Sequence, residues 1–206
     1  MWLQDFKKDE AAGTVPALSI LWVMCDHTGG PPTADAEQAD NDLAIGRIVD
    51  YVSHSKVWDS SAIFVEEDDA QNGVDHVDGH RSPGYVISPF TIQNGPTDHT
   101  YYTQVNMTRT IEQILGLPPM NQFDLVASPM RTAFVEGEAS PENFKPWTHE
   151  PNQVPLDQGV TTSTASNTTD STSVKALRVA WMKKKEHIFA GKLTKPDAED
   201  RTRSIT

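Results

Sequence analysis

Three of the seven histidines directly follow an aspartate, in Asp26-His27, Asp75-His76 and Asp98-His99, and Glu66-Glu67-Asp68-Asp69 places acids in an unbroken row. Carboxylate oxygen and neutral imidazole nitrogen are the usual donors to zinc, manganese and similar ions, whereas carboxylates crowded together without a cation repel one another. The chemistry open to these residues is therefore metal-assisted. Two ions a few ångströms apart would neutralise a phosphoryl oxygen and activate a nucleophile. Each feature also has a plainer reading. Asp68-Asp69 precedes Asn72-Gly73, and Asp and Asn suit turns. His76 and His80 would share a face only on a helix, and Gly73, Gly79 and Pro83 make their segment a loop. Asp98 or Thr100 would serve as the cap of a following helix. His54, His149 and His187 read as surface residues.

The elements that must position these groups come from the hydrophobic pattern. Residues 17–24 form a short apolar run bounded by Pro16 and a polar loop, which predicts a buried strand. Ile45, Ile48, Val49 and Val52 fall at i, i+3, i+4 and i+7 and predict a helix over 37–54. Residues 62–65 and 85–87 read as the second and third strands. Met107, Ile111, Ile114 and Leu115 share a helical face, and Gly116 with Pro118-Pro119 supplies a stop, predicting a helix over 100–115. One more short helix is expected within 125–134, limited by Pro129. Apolar strands alternating with amphipathic helices imply an α/β fold: a doubly wound, mostly parallel sheet with helices on both faces. In such a sheet the strand ends carrying Asp26-His27, Asp68-Asp69 and Asp98-His99 converge on the carboxyl edge, where ligands bind.

Composition narrows the function. A chain of 206 residues has room for one ordinary core with trailing material. A formal charge of -12 argues against a nucleic-acid-binding surface. The single cysteine, Cys25, excludes an intrachain disulfide and a cysteine-based zinc site. No apolar run is long enough for a membrane-spanning helix, and the first residues lack the basic start of a secretory signal. The expected organisation is a folded part over 14–137, a linker over 138–173 that is Pro-rich and then Ser/Thr-rich, and a helix with an incomplete tail over 174–206. Lys183-Lys184-Lys185 in that tail reads as a solvated basic face.

The run Ile63 to Pro83, with Glu66-Glu67-Asp68-Asp69 followed by Asp75-His76-Val77-Asp78-Gly79-His80-Arg81, resembles a bacterial phosphoesterase family. This family is related to phospholipase C and acid phosphatase, within the alkaline phosphatase superfamily. Asp26-His27-Thr28, the stretch Asp40 to Val49, Val86-Ile87-Ser88-Pro89 and the stretch Arg109 to Met120 extend the resemblance over about 14–135. The resemblance implies hydrolysis of phosphate esters with one or two divalent ions, be they zinc, manganese, calcium or magnesium. By that analogy Asp68 and Asp69 take the late acidic metal pair, Asp26 and His27 the earlier pair, and His76 or His80 the loop imidazole, with His99 as a second-tier ligand. It also implies a Ser, Thr or Cys nucleophile upstream of the matched segment, so the chain reads as a C-terminal portion whose nucleophile comes from an upstream domain; Thr28 does not match the family's nucleophile motif. The tail after Thr194 stops where the family runs on. Relatives are commonly periplasmic or secreted. The alternatives are a catalytically silent metal-binding fragment or interaction module, and a phospholipase C-type phosphodiesterase.

Overall fold

Helix α1 spans Trp2–Ala12 and has no counterpart among the sequence expectations. Its one buried side chain, Phe6, meets Tyr51 edge-on at 5.7 Å between ring centroids, and Lys7 Nζ lies 4.8 Å from the same ring. These contacts dock α1 on α2, which spans Ala34–Ser53, close to the expected 37–54. Thr33 caps α2 by accepting from the Ala36 amide at 3.3 Å, and Val49 and Val52 from the expected apolar face are buried. In the computed structural model the described residues are 2–23, 32–68 and 82–159.

Strands β1 (Ile63–Glu66) and β2 (Gly84–Ile87) match the expected second and third strands, but they pair with each other antiparallel, Ile63 opposite Ile87 and Glu66 opposite Gly84. Helices and strands are both present, so the mixed α/β class stands, but their order among the described residues is two helices, two strands and two helices in place of the expected alternation. A parallel ladder is not found among the described residues. The physical reason lies in the connection: a parallel pair needs a crossover, usually a helix, and residues 67–83 carry glycine and proline in place of a helical apolar stripe. The expected strand at 17–24 forms no ladder over its described part, 17–23, and Leu18, Ile20 and Trp22 are exposed. A strand apolar on both faces needs neighbours on both sides to stay dry. A sheet of two strands offers it none.

Helix α3 (Gln104–Leu115) begins later than the predicted 100, because Thr103 opens it: the Thr103 amide donates to Asn106 Oδ1 at 2.7 Å. It ends at Gly116, as its sequence requires. With φ at +67°, Gly116 sits in the left-handed region, and its amide donates to Gln113 O at 3.3 Å. No atom lies within 4 Å of a Cβ built there, so Gly116→Ala carries backbone strain alone. A loss of about 1–2 kcal/mol in urea unfolding is the expected result.

Helix α4 (Gln122–Val126) lies earlier than the expected 125–134, capped by Asn121, whose Oδ1 accepts from Phe123 N at 2.7 Å. Two almost fully buried acids fix its approach to α3. Asp124 accepts from Met120 N at 2.7 Å and Asn121 N at 2.9 Å, while Glu112 pairs with Arg109 at 3.2 Å. Burial pulls the Asp124 carboxyl upward, but these bonds and one with Glu112 outweigh it and hold it below the usual carboxylate range. Between Pro129 and Phe134 a short 3-10 turn, Arg131–Ala133, forms in place of the rest of the expected helix.

Among the described residues the dry core is small: Phe6, Ala36, Val49, Val52, Trp58 and Met107, with Pro89 also fully buried. Of the four apolar residues expected on the core face of α3, Met107 is buried and Ile114 is exposed. Beyond Pro146, where a linker is expected, residues 147–158 run beside α2 in the opposite direction. Trp147 meets Ser53, His149 meets Asp50, and Gln158 meets Thr33.

Candidate metal centre

Of the expected ligands, Asp68 and His99 lie among the described residues; Asp26, His27, Asp69, His76 and His80 lie outside them. Asp68 stands two residues past the end of β1 and is exposed. The backbone here is held from α3: Gln104 Nε2 donates to the carbonyls of Glu67 at 3.0 Å and Asp68 at 3.2 Å. Glu67 N also donates to Pro83 O at 3.4 Å. Within the acidic row, partial withdrawal from solvent raises the Glu66 carboxyl above its ordinary value. A cation beside this strand end would favour its ionised form. The donors in this row are hard oxygens, which suit divalent ions of the magnesium, manganese and zinc kind.

The expected convergence on a single sheet edge changes with the antiparallel pairing. Chain leaving β2 departs from the end opposite Asp68, and the start of α3 is what returns to the strand-end acids, through Gln104. His99 therefore does not follow a strand end shared with Asp68. Its neighbour Asp98 has a structural partner set of its own. Oδ1 accepts from Thr100 N at 2.9 Å and Thr100 Oγ1 at 2.6 Å, and Oδ2 accepts from Thr132 Oγ1 at 2.5 Å. Neither Asp98 nor Thr100 caps α3; Thr103 does. Among the described residues no group of three or more His, Cys, Asp or Glu is arranged to hold a metal.

The Asp98 bonds have a measurable consequence. Hydrogen bonds from the Thr100 side chain first, then Thr132 and the Thr100 amide, lower its pKa to about 2. The folded value lies below the unfolded value near 3.9. Its contribution to stability is therefore complete above about pH 4 and is lost as pH falls toward 2. Thr132→Val removes one donor, so NMR titration should show the Asp98 carboxyl moving up toward the ordinary value, with a shallower acid limb of unfolding.

Sequence reading missed a second cluster. Asp50 on α2 accepts from His149 at both Nδ1 (2.6 Å) and the backbone amide (3.0 Å), and His54 Nδ1 lies 3.1 Å from its other oxygen. The His149 bonds lower the Asp50 pKa. His54 and His149 are exposed, as expected; what the sequence did not show is their shared partner, since Asp50 lies 99 positions from His149. Only the i, i+4 spacing of Asp50 and His54 was visible. A groove of roughly 400 Å³ between α3 and residues 129–136, lined by Thr110, Ile114, Met130 and Phe134, holds none of the expected ligands. It is a wide-open cleft with no acid beside it but Glu136.

The model of the Phosphoesterase family matches residues 1–118, a stretch that includes both Asp26-His27 and the whole run from Glu66 to His80. The chain belongs to the phosphoesterase family. No curated protein and no solved structure gives a match. Membership points to hydrolysis of phosphate esters, and the sequence resemblance is upheld at that level. In this phosphoesterase no helix among the described residues is long and apolar enough to cross a membrane.

Proposed function

We propose that this phosphoesterase chain carries the metal-binding portion of a hydrolytic site for phosphate esters and takes its nucleophile from outside these residues. Asp68, Asp69, Asp26 and His27 would hold one or two divalent ions, with His76 or His80 completing the shell and His99 in a secondary place. The observation that carries this reading is the unbroken family match across both acidic motifs. Bound ions would supply charge neutralisation at the phosphoryl oxygens and activation of the attacking group. The chain's own part is to fix the carboxylates: Gln104 pins the carbonyls of Glu67 and Asp68, so the strand end is held at two successive residues.

The same reading takes β1 and β2 as part of a larger, mostly parallel sheet of the alkaline phosphatase type, with 17–23 as one of its strands. Exposure of Ile20 at 88% and Trp22 at 74% supports it, since side chains of this size are seldom left so open without a covering surface. That exposure equally favours the second reading, a catalytically silent fragment that works by docking onto the remainder of its domain. Secretion or periplasmic residence follows from the resemblance alone, and cleavage of phosphodiesters of the phospholipase C kind uses the same metal chemistry. The test is an assay of the 206-residue chain on a chromogenic phosphate monoester. Background turnover is expected. Turnover that survives purification and vanishes with a chelator would overturn the proposal that the nucleophile lies elsewhere.

A further inference from the structure

Residues 147–158 form a strap along α2, pinned at both ends of the helix. At the C-terminal end the buried Ser53 hydroxyl accepts from Trp147 N at 2.9 Å, its one proton shared between Asp50 O at 3.0 Å and Trp147 O at 3.3 Å. One turn back, Asp50 takes both the imidazole and the amide of His149, and Gly46 lies opposite the His149 Cβ at 3.3 Å from a Cβ built there. That approach is tight, so a side chain at 46 would require the strap to give by a few tenths of an ångström. At the N-terminal end Thr33 N donates to Gln158 O at 2.8 Å, and Thr33 Oγ1 donates to Gln158 Oε1 at 3.1 Å. Thr33 is also the residue whose side chain caps α2.

No side chain of the strap is fully buried: Val154 and Leu156 are half-buried and Trp147 is half-exposed. The strap's bonds to α2 are polar and lie at separated points, and with no fully buried side chain between them the segment is suited to dock and undock as one low-stability unit while the helix beneath stays folded. Asp50 is the strongest of those points, because a carboxylate accepting two bonds from one residue makes charge-assisted contacts of fixed geometry. The far end matters because Thr33 starts α2 directly after the stretch that contains Asp26 and His27.

We propose that the strap 147–158 is a conformational device that controls the start of α2: docked through Asp50–His149, it holds Thr33 in place, and released there, it frees Thr33 some 25 Å away along the helix. The inference stands on the strap bonds alone and does not depend on the metal reading. Amide hydrogen exchange on the full 206-residue chain tests it, with His149→Ala and, as a second way of cutting the same end, Ser53→Ala. The expected result is at least tenfold faster exchange of the Thr33 amide in both variants, with Val49 and Val52 amides unchanged. Faster exchange confined to residues 147–150 with Thr33 still protected would overturn it, and so would acceleration throughout α2, which would mean that the strap is simply part of the helix's own stability. Gln158→Ala, which keeps the backbone acceptor, should leave the Trp147 amide protected if docking begins at Asp50.

Discussion

Replacing Asp68 with alanine should weaken binding of a divalent ion by the chain by about 100-fold or more. Loss of a partner in the outer shell of a metal site costs 10–100-fold, and a direct ligand stands at or above the upper end of that range. Asp68 is exposed and lies outside β1, and its carbonyl contact with Gln104 is one that alanine retains. Calorimetric titration with Zn²⁺ or Mn²⁺ alongside a thermal melt separates ion binding from folding: a much weaker ion on a chain that still melts cooperatively is the expected pair. An unchanged dissociation constant would remove Asp68 from the site.

Trp58→Ala is expected to have the largest effect on stability, a loss of about 3–5 kcal/mol. Trp58 belongs to the small dry core of the described part, at 4% exposure, and sits in the 3-10 turn that leads from α2 to β1. Against a total of roughly 5–15 kcal/mol for ordinary domains, that loss leaves little margin. Its indole nitrogen is buried without a hydrogen-bond partner, and an unpartnered donor carries a cost of its own. Trp58→Phe keeps most of the ring and removes that donor, so its loss should stay below about 1.5 kcal/mol. Urea denaturation of both variants distinguishes packing from polarity: equal losses would show that the indole rim, not the bulk of the ring, fills the site.

How much of this was legible follows from which signals are local. The α2 face at Val49 and Val52, the stop of α3 at Gly116, and the strands at 63–66 and 84–87 each rest on periodicity or on one residue's backbone preference, and all three signals sit within a few residues. Helix α1 was not legible because its one buried residue, Phe6, owes its burial to Tyr51 on another element. The direction of strand pairing was not legible either. Apolar runs of four residues look alike in parallel and antiparallel sheets, and the direction depends on the path of 67–83.

The site divides in the same way. Glu66 to Asp68 at a strand end could be read from the sequence, since an apolar run meets an acidic row there. Gln104, which pins that strand end, could not: it lies 36 residues from Asp68 and opens α3 with no apolar or charged signature. The Asp98 expectation failed for a related reason. A Thr-rich stretch offers several caps, and geometry selected Thr103 while Asp98 turned to Thr100 and Thr132.

The position of a bound ion tests the central claim most directly. Crystals of the chain grown with Zn²⁺, measured on both sides of the zinc absorption edge, should show an anomalous peak about 2.0–2.2 Å from a carboxylate oxygen of Asp68. A peak at the Asp50–His149 pair or elsewhere on the surface, with none at Asp68, would contradict the account.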